Sequence, residues 1–545
     1  MRTRIKRGVA WHVTKRVMRR LLVGATIVGG VTAGGPARAI DPEELLDSLH
    51  RTAFDYFWNE ANPANGLIKD RSTAGSPCSV ASTGFGLTAI CIGIDHGYVS
   101  RAAGRDRILT TLNTFWTKPQ SSAASGTIGY QGLFYHFLDM NTGLRTWDSE
   151  LSTIDTALLF AGIMDARQYF STNDPLDVQV RTLADAITQR ADWEFMRNST
   201  TGLRMGWKPG TGFMGFGLWV GYNEAMLLYI LALGSPTHPI PAAMPNTWTT
   251  WTSGYDYETR YGFTYVTFPP LFGHQYSHCW IDFRYTWDSY MQARGITYFE
   301  NSRRATLAQR EYCIDNPFER IGYGPNVWGL TASDDPFGYS AHGAPPAQND
   351  NGTITPTAVA GSIPFAPWVA IPALQYMYDT FGAQLWSTYG FKDAFNLTHG
   401  WFATDYLGID QGPIILMIEN YRTESVWTRF MTHPDVQLGM QRAGFVAAPV
   451  TAIGPQVESP AALFQSVPNP SRGVAWIPYR LGTAGRVSLV LYDVSGRAVR
   501  TLVDGERSAG PHRVRLDTTQ LPSGVYFYQL ESDRMKQVRE CIVVK

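Results

Sequence analysis

Phe216-Gly217-Leu218-Trp219-Val220-Gly221-Tyr222-Asn223-Glu224-Ala225-Met226-Leu227-Leu228-Tyr229-Ile230-Leu231-Ala232-Leu233-Gly234 sets an aromatic, glycine-rich turn directly before an apolar run long enough for a three-turn helix. One acidic residue, Glu224, stands at the junction. The first amides of a helix are unpaired and the helix dipole is positive there, so a carboxylate at that point is either a helix stabiliser or a reactive group. Asn223 suits the N-cap, which would make Glu224 a first-turn stabiliser. The other acids of the chain decide between the two readings.

Outward from this stretch the same unit recurs: a glycine and aromatic loop, then an apolar helix. Periodicity predicts helices over 43–58, 83–93, 105–116, 151–164, 183–193, 296–312, 369–380 and 414–421, with no convincing alternating strands between them. Such repetition predicts helices packed in pairs around one core. Near residue 435 the composition changes. Residues 446–472 are rich in Ala, Pro, Val and Ser, and from Gly473 alternation broken by glycine-containing turns predicts a small β-sandwich.

The formal charge of zero hides an asymmetry. Residues 1–39 hold nine Arg or Lys and no acid, leaving about nine net negative charges on the rest, which argues against general nucleic-acid binding. A basic start, an apolar run over 21–31 and Ala37-Arg38-Ala39 read as an export signal, so the mature protein is expected outside the cytoplasm, in the periplasm, at the cell surface or beyond. No transmembrane segment is expected. The expected organisation is a leader over 1–39, a helical domain over 40–445, a linker over 446–472 and an immunoglobulin-like sandwich over 473–545. Five cysteines exclude a disulfide scaffold, and no spacing suggests a metal site or a cofactor.

Three loops carry acids ahead of apolar helices: Asp148 with Glu150, Glu224, and Asp405 with Asp410. Asp155, three residues after Ser152, has capping-box spacing and reads as structural. Equivalent helix starts in an antiparallel ring gather at one end, so the three loops would converge. Two converging carboxyls suit glycoside hydrolysis, one protonating the leaving oxygen and the other activating water, about 6.5 to 9.5 Å apart for inversion. Glu224 is the expected general acid, Asp410 or Glu150 the carboxylate aiding water, and Asp148 and Asp405 supporting acids. Trp207, Lys208, Trp219, Tyr222, Arg284, Trp287, Trp328 and His342 are the expected sugar contacts, rings stacking on sugar faces and polar groups fixing hydroxyls. No serine nucleophile elbow or phosphate loop stands in a suitable context. A noncatalytic glycan binder could use the same aromatics.

Residues 144–433, extending back to 41, resemble the glucoamylase-like bacterial domain that includes glycoside hydrolase family 144, the endo-β-1,2-glucanases. The likeness is carried by ELSTIDTALL (150–159), YNEAM (222–226), SPTHP (235–239), RYTWD (284–288), WGLTAS (328–333), GSIPFAP (361–367) and DYLGIDQGP (405–413). It implies an (α/α)6 toroid, a glycan cleft, inverting hydrolysis, and acidic site residues at the Glu150 region, Glu224 and the Asp410 region. Trp368 stands where relatives commonly place an acid after FAP. LYDVSG (491–496) and LPSGVY (521–526) resemble FlgD-like immunoglobulin-fold or sorting modules, implying surface or secretion-machinery contact. The expectation is an exported endo-β-1,2-glucanase; the alternatives are a hydrolase or transglycosylase of another β-glycan, or a surface glycan binder.

Overall fold

The computed structural model describes residues 40–243, 256–453, 461–507, 510–532 and 535–545. The leader read over 1–39, the rings of Trp248, Trp251 and Tyr255, and residues 454–460 of the linker lie outside the described residues.

The first part is mainly helical. Helix α1 (Pro42–Asn59) starts at Asp41, whose carboxylate accepts from the Glu43 and Glu44 amides at 2.9 Å each. Ser79, Ser100, Ser152 and Asp174 cap α2 (Val80–Asp95), α3 (Arg101–Thr117), α4 (Thr153–Tyr169) and α5 (Pro175–Gln189) in the same way, each side chain accepting from an otherwise unpaired first-turn amide. Then come α6 (Met226–Gly234), α7 (Tyr298–Asp315), α8 (Pro367–Leu385), α9 (Gly408–Arg422) and α10 (Pro434–Arg442). The predicted helix over 183–193 is instead α5, which ends at Gln189, followed by a separate turn at Trp193–Arg197. Most of the glycine and aromatic loops are pinned by two-residue strand pairs too short to show alternation, such as Leu151↔Trp207 and Cys78↔Leu138.

Burial sorts the helices into two layers. Helices α2, α4, α6 and α9 are buried on nearly every side, whereas α1, α3, α5 and α10 bury one stripe each. The inner pair α2 and α4 cross backbone to backbone. A methyl added at Gly162 would stand 1.9 Å from the Gly84 carbonyl oxygen, so the two helices would have to part. Gly162→Ala is therefore expected to cost about 1–3 kcal/mol of stability, read from urea melts.

The inner helices share a direction. Backbone bonds stitch their starts together: the Val80 amide donates to His136 O (3.1 Å), the His136 amide to Glu150 O (2.9 Å) and the Gly408 amide to Asp70 O (2.8 Å). Ser277 Oγ donates to Glu224 O at 2.8 Å and Tyr276 Oη to Ile409 O at 3.0 Å, joining residues 271–281 and α6 to α9. At the opposite end, Arg429 grips Asp165 of α4 through two 2.7 Å bonds, and Trp427 Nε1 donates to His278 O.

The C-terminal part is antiparallel β-structure. Strands β1 (Ala462–Leu463), β2 (Val474–Leu481) and β5 (Gly510–Asp517) form one sheet in the order β1-β2-β5. Strands β3 (Gly485–Asp493), β4 (Ala498–Arg507), β6 (Gly524–Ser532) and β7 (Met535–Val543) form the other, in the order β4-β3-β6-β7. Ala475, Ile477, Tyr479 and Leu516 from the first meet Leu489, Leu491, Tyr528 and Leu530 from the second in one core. Pro478 interrupts the apolar run of β2, and β7 alternates charged with apolar residues on an edge. All five cysteines are buried free thiols.

Candidate active site

The stitched end of the inner helices carries the acids. Glu224 precedes the N-cap of α6, which is Ala225 and makes no side-chain cap bond; Asn223 Oδ1 instead accepts from the Ala225 amide at 2.9 Å. Asn223 is therefore not the N-cap, and Glu224 does no capping. Its Oε2 is sealed from solvent and meets no donor among the described residues, although the residue as a whole is only partly covered. Burial raises its carboxyl to about 7, helped by the nearby charge of Asp155.

Glu150 lies one strand pair before α4 rather than against the helix. His136 Nδ1 is 2.9 Å from Glu150 Oε1, and His136 Nε2 is 3.6 Å from Asp155 Oδ1. Burial alone would lower the imidazole; Asp155 and Glu150 outweigh it and raise it to about 9. Glu150 in turn is lowered, because His136 more than offsets its burial. His136 thus lies between two carboxylates and bridges Glu150 to Asp155. Asp155 also receives Ser152 Oγ at 2.5 Å and fills the structural position its spacing predicts.

Asp410 is not in a loop: α9 begins at Gly408 and holds it in its first turn. Its carboxyl is raised well above the usual range, first by burial and then by Asp393, with which it shares a hydrogen bond. Asp393 is raised too, and its Oδ2 accepts from the Asp334 amide at 2.7 Å. Among the described residues Asp393 Oδ1 and Asp410 Oδ2 face no donor from elsewhere, and burial together with the mutual repulsion of the two carboxyls favours the protonated form of each. Beside them Arg71 binds Asp334 at 3.0 Å and Asp70 at 3.3 Å, and lies 3.8 Å from Asp405. Ser72 and Thr73 hydroxyls donate to the Asp405 carboxylate, which fixes it as a support for this loop. Asp148 is exposed at the rim, bound to Arg145 (2.6 Å) and Lys208 (3.2 Å).

Trp207, Lys208 and Trp219 stand at this end: Trp207 pairs across from Leu151, and Trp219 Nε1 donates to Thr153 Oγ1 at 2.9 Å. The other residues expected to meet sugars are buried or stand away from the acids. Trp328 is fully buried. His342, also buried, uses Nδ1 on Asn349 O (2.7 Å) and faces Asp335 with Nε2 (3.3 Å), holding a loop. Tyr222 is buried with its ring stacked on Tyr298. Arg284 pairs with Asp282 and Glu424, and Trp287 with Val446, all at the far end of α9. Trp368 lines a separate cleft with Glu300, Arg303 and Arg304, and Phe365 just before it packs on His278 at the same far end. Trp368→Ala is accordingly expected to leave kcat/KM within about two-fold, checked by initial rates.

Sequence reasoning missed Asp70, Arg71, His136, Asp334 and Asp393. Lys69-Asp70-Arg71 is a charged cluster in a glycine-led loop, and Asp334 directly follows WGLTAS (328–333); Asp393 has no local signal. Exposed rings of Trp147, Phe337 and Tyr339 also rim this end.

A helical body of this kind, with buried acids at the common start of its inner helices, is of the glucoamylase-like glycosidase class. Residues 218–434 match the family described as "Putative glucoamylase", and residues 467–545 match the "Secretion system C-terminal sorting domain". A structure of the first description from Bacteroides uniformis ATCC 8492 is 38% identical, covering 76% of this chain and 100% of that one, with a TM-score of 0.70. An endo-β-1,2-glucanase from Chitinophaga pinensis, solved with sophorotriose and glucose, is 31% identical over 75% of this chain and 99% of that one, with a TM-score of 0.69. The exo β-1,2-glucooligosaccharide sophorohydrolase (non-reducing end) of Parabacteroides distasonis is 32% identical over 432 residues, which is 73% of this chain and 58% of that protein. This chain thus spans little more than half the length of that curated relative. The chain belongs to the glucoamylase-like family, and its sorting domain places it among secreted or cell-surface proteins.

Proposed function

We propose that this protein hydrolyses β-1,2-glucan, cutting within the chain and inverting the anomeric centre, on an (α/α)6 toroid. Six inner segments support the toroid: α2, α4, α6, residues 271–281, residues 356–365 and α9 each lead away from the stitched end. Over most of the circuit an outer helix such as α1, α3, α5, α7 or α8 leads back to it. The domain limits at 40–445 and 473–545 belong to the same reading, with Ala462–Leu463 and Val467 from the intervening stretch pairing onto the second domain.

One observation carries the chemistry: Glu224, raised by burial to about 7, and Asp410, raised by burial and by Asp393, both lie within electrostatic reach of the Tyr276 phenol. Glu224 gives its proton to the glycosidic oxygen as the C1–O bond breaks. Water attacks C1 from the opposite face and loses a proton, through a hydrogen-bonded water, to the Asp393–Asp410 pair. Glu150 is the weaker base, because its ion pair with His136 depresses its basicity. Trp147, Trp207, Phe337 and Tyr339 offer ring faces to sugars, and Arg71 and Lys208 offer donors to hydroxyls.

The likeness to an exo-acting sophorohydrolase favours a second reading, release of disaccharide from the non-reducing end. Product analysis separates them. Endo action on linear β-1,2-glucan gives a spread of oligosaccharides early in the reaction, whereas sophorose as the only early product would overturn it. No release from β-1,2-glucan, with release from β-1,3- or β-1,4-glucan, would overturn the linkage.

A further inference from the structure

Far from the acids, three side chains from three helices converge without a catalytic task. His50 lies in α1, His96 caps the C-terminal end of α2, and Glu419 lies near the C-terminal end of α9. His96 Nε2 is 2.8 Å from Glu419 Oε2, and His50 Nε2 is 3.3 Å from the same oxygen. His50 and Glu419 are buried and His96 is nearly so.

A hydrogen-bond network alone accounts poorly for this arrangement. One carboxylate oxygen faces two imidazole nitrogens, and the buried His50 nitrogen, although 3.3 Å from it, makes no aligned hydrogen bond among the described residues. The other oxygen is already committed: Glu419 Oε1 accepts from Thr423 Oγ1 at 2.6 Å and Ser425 Oγ at 2.7 Å, which turns Oε2 toward the rings. His50 Nδ1 is 3.1 Å from the Tyr98 hydroxyl, the kind of outer contact that fixes a ligand imidazole's tautomer. The ligand atoms all lie within 4.8 Å of one another, and tetrahedral zinc with bonds of about 2.0–2.1 Å asks for separations of about 3.3 Å.

We propose that His50 Nε2, His96 Nε2 and Glu419 Oε2 bind one divalent transition ion of the zinc class, with water as fourth ligand. The water comes from an adjoining cleft of about 320 Å³ lined by Asp95, His96, Glu419 and Thr423 and, from the β-sandwich, Val467 and Trp476. Its place, at the end of the helical body away from Glu224 and against the sandwich, makes it a clamp of α1, α2 and α9 rather than a catalytic metal.

The test uses the untagged full chain, stripped with chelator and titrated with zinc chloride by calorimetry, with zinc content measured after desalting. The expected result is one zinc per chain, a Tm raised by several degrees, and visible absorption bands of a tetrahedral site when cobalt(II) replaces zinc. His96→Ala and Glu419→Gln should abolish uptake, and Tyr98→Phe, which keeps all three ligands, should weaken it about ten-fold. Wild-type protein that takes up no zinc and shows no cobalt bands overturns the site, without reliance on any variant's folding. Uptake by Glu419→Gln equal to wild type overturns it as well.

Discussion

Glu224→Gln is expected to lower turnover of β-1,2-glucan by about 10²–10⁴-fold while leaving Tm and the circular dichroism spectrum unchanged. The size follows from the role: an amide keeps the volume and polarity of the side chain but has no proton for the leaving oxygen. The unchanged fold follows from the local structure, since Ala225 is the N-cap of α6 and Asn223 serves the Ala225 amide, so no helix end depends on the Glu224 carboxylate. The pH profile is a second reading of the same group. A general acid works only while protonated, and burial raises Glu224 to about 7, so kcat/KM should fall as pH rises through about 7. That alkaline limb should be missing from whatever activity Glu224→Gln retains. A variant with full turnover, or an unchanged alkaline limb, would take the acid role away from Glu224.

How much of this was open to reading from the sequence depended on how local each signal is. The inner helices announced themselves because they are apolar on every side, and the Ser152 cap because capping is a three-residue affair, whereas Asp41, Ser79, Ser100 and Asp174 went unread. The idea that acids at successive helix starts would meet was also legible, since it needs only a shared helix direction. Partners were another matter. His136, Asp393 and Arg71 sit in loops with no period, and each acquires meaning from a residue far along the chain: Arg71 from Asp334, Asp393 from Asp410, His136 from Asp155. Trp328 and Tyr222 misled for the converse reason. An aromatic residue in a glycine-rich string looks the same whether its ring faces a cleft or another ring, and packing decides. Arg284 and Trp287 misled because the sequence does not say to which end of the bundle a loop belongs; the ion pair with Glu424, past the end of α9, does.

Asp410→Asn is the complementary experiment and is expected to cost about as much as Glu224→Gln, for the opposite reason. Burial and neighbouring carboxyls raise Asp393 and Asp410 together well above the usual carboxylate range. Below the pair's first ionisation both are protonated and neither can take a proton from water. Above it one negative charge remains, stabilised by the shared hydrogen bond, and it can. The acid limb of kcat/KM should therefore follow this ionisation, giving a narrow bell between it and the Glu224 limb. Replacing Asp410 by Asn removes the pair and with it that acid limb. Glu150→Gln is the control that makes the assignment discriminating. Glu150 is held ionised by His136, so its loss should release His136 toward an ordinary imidazole and reduce activity less, while leaving the acid limb in place. If Glu150→Gln instead erases the acid limb and Asp410→Asn keeps it, the water is activated from the α4 side of the site, and the Asp393–Asp410 pair is a structural proton store.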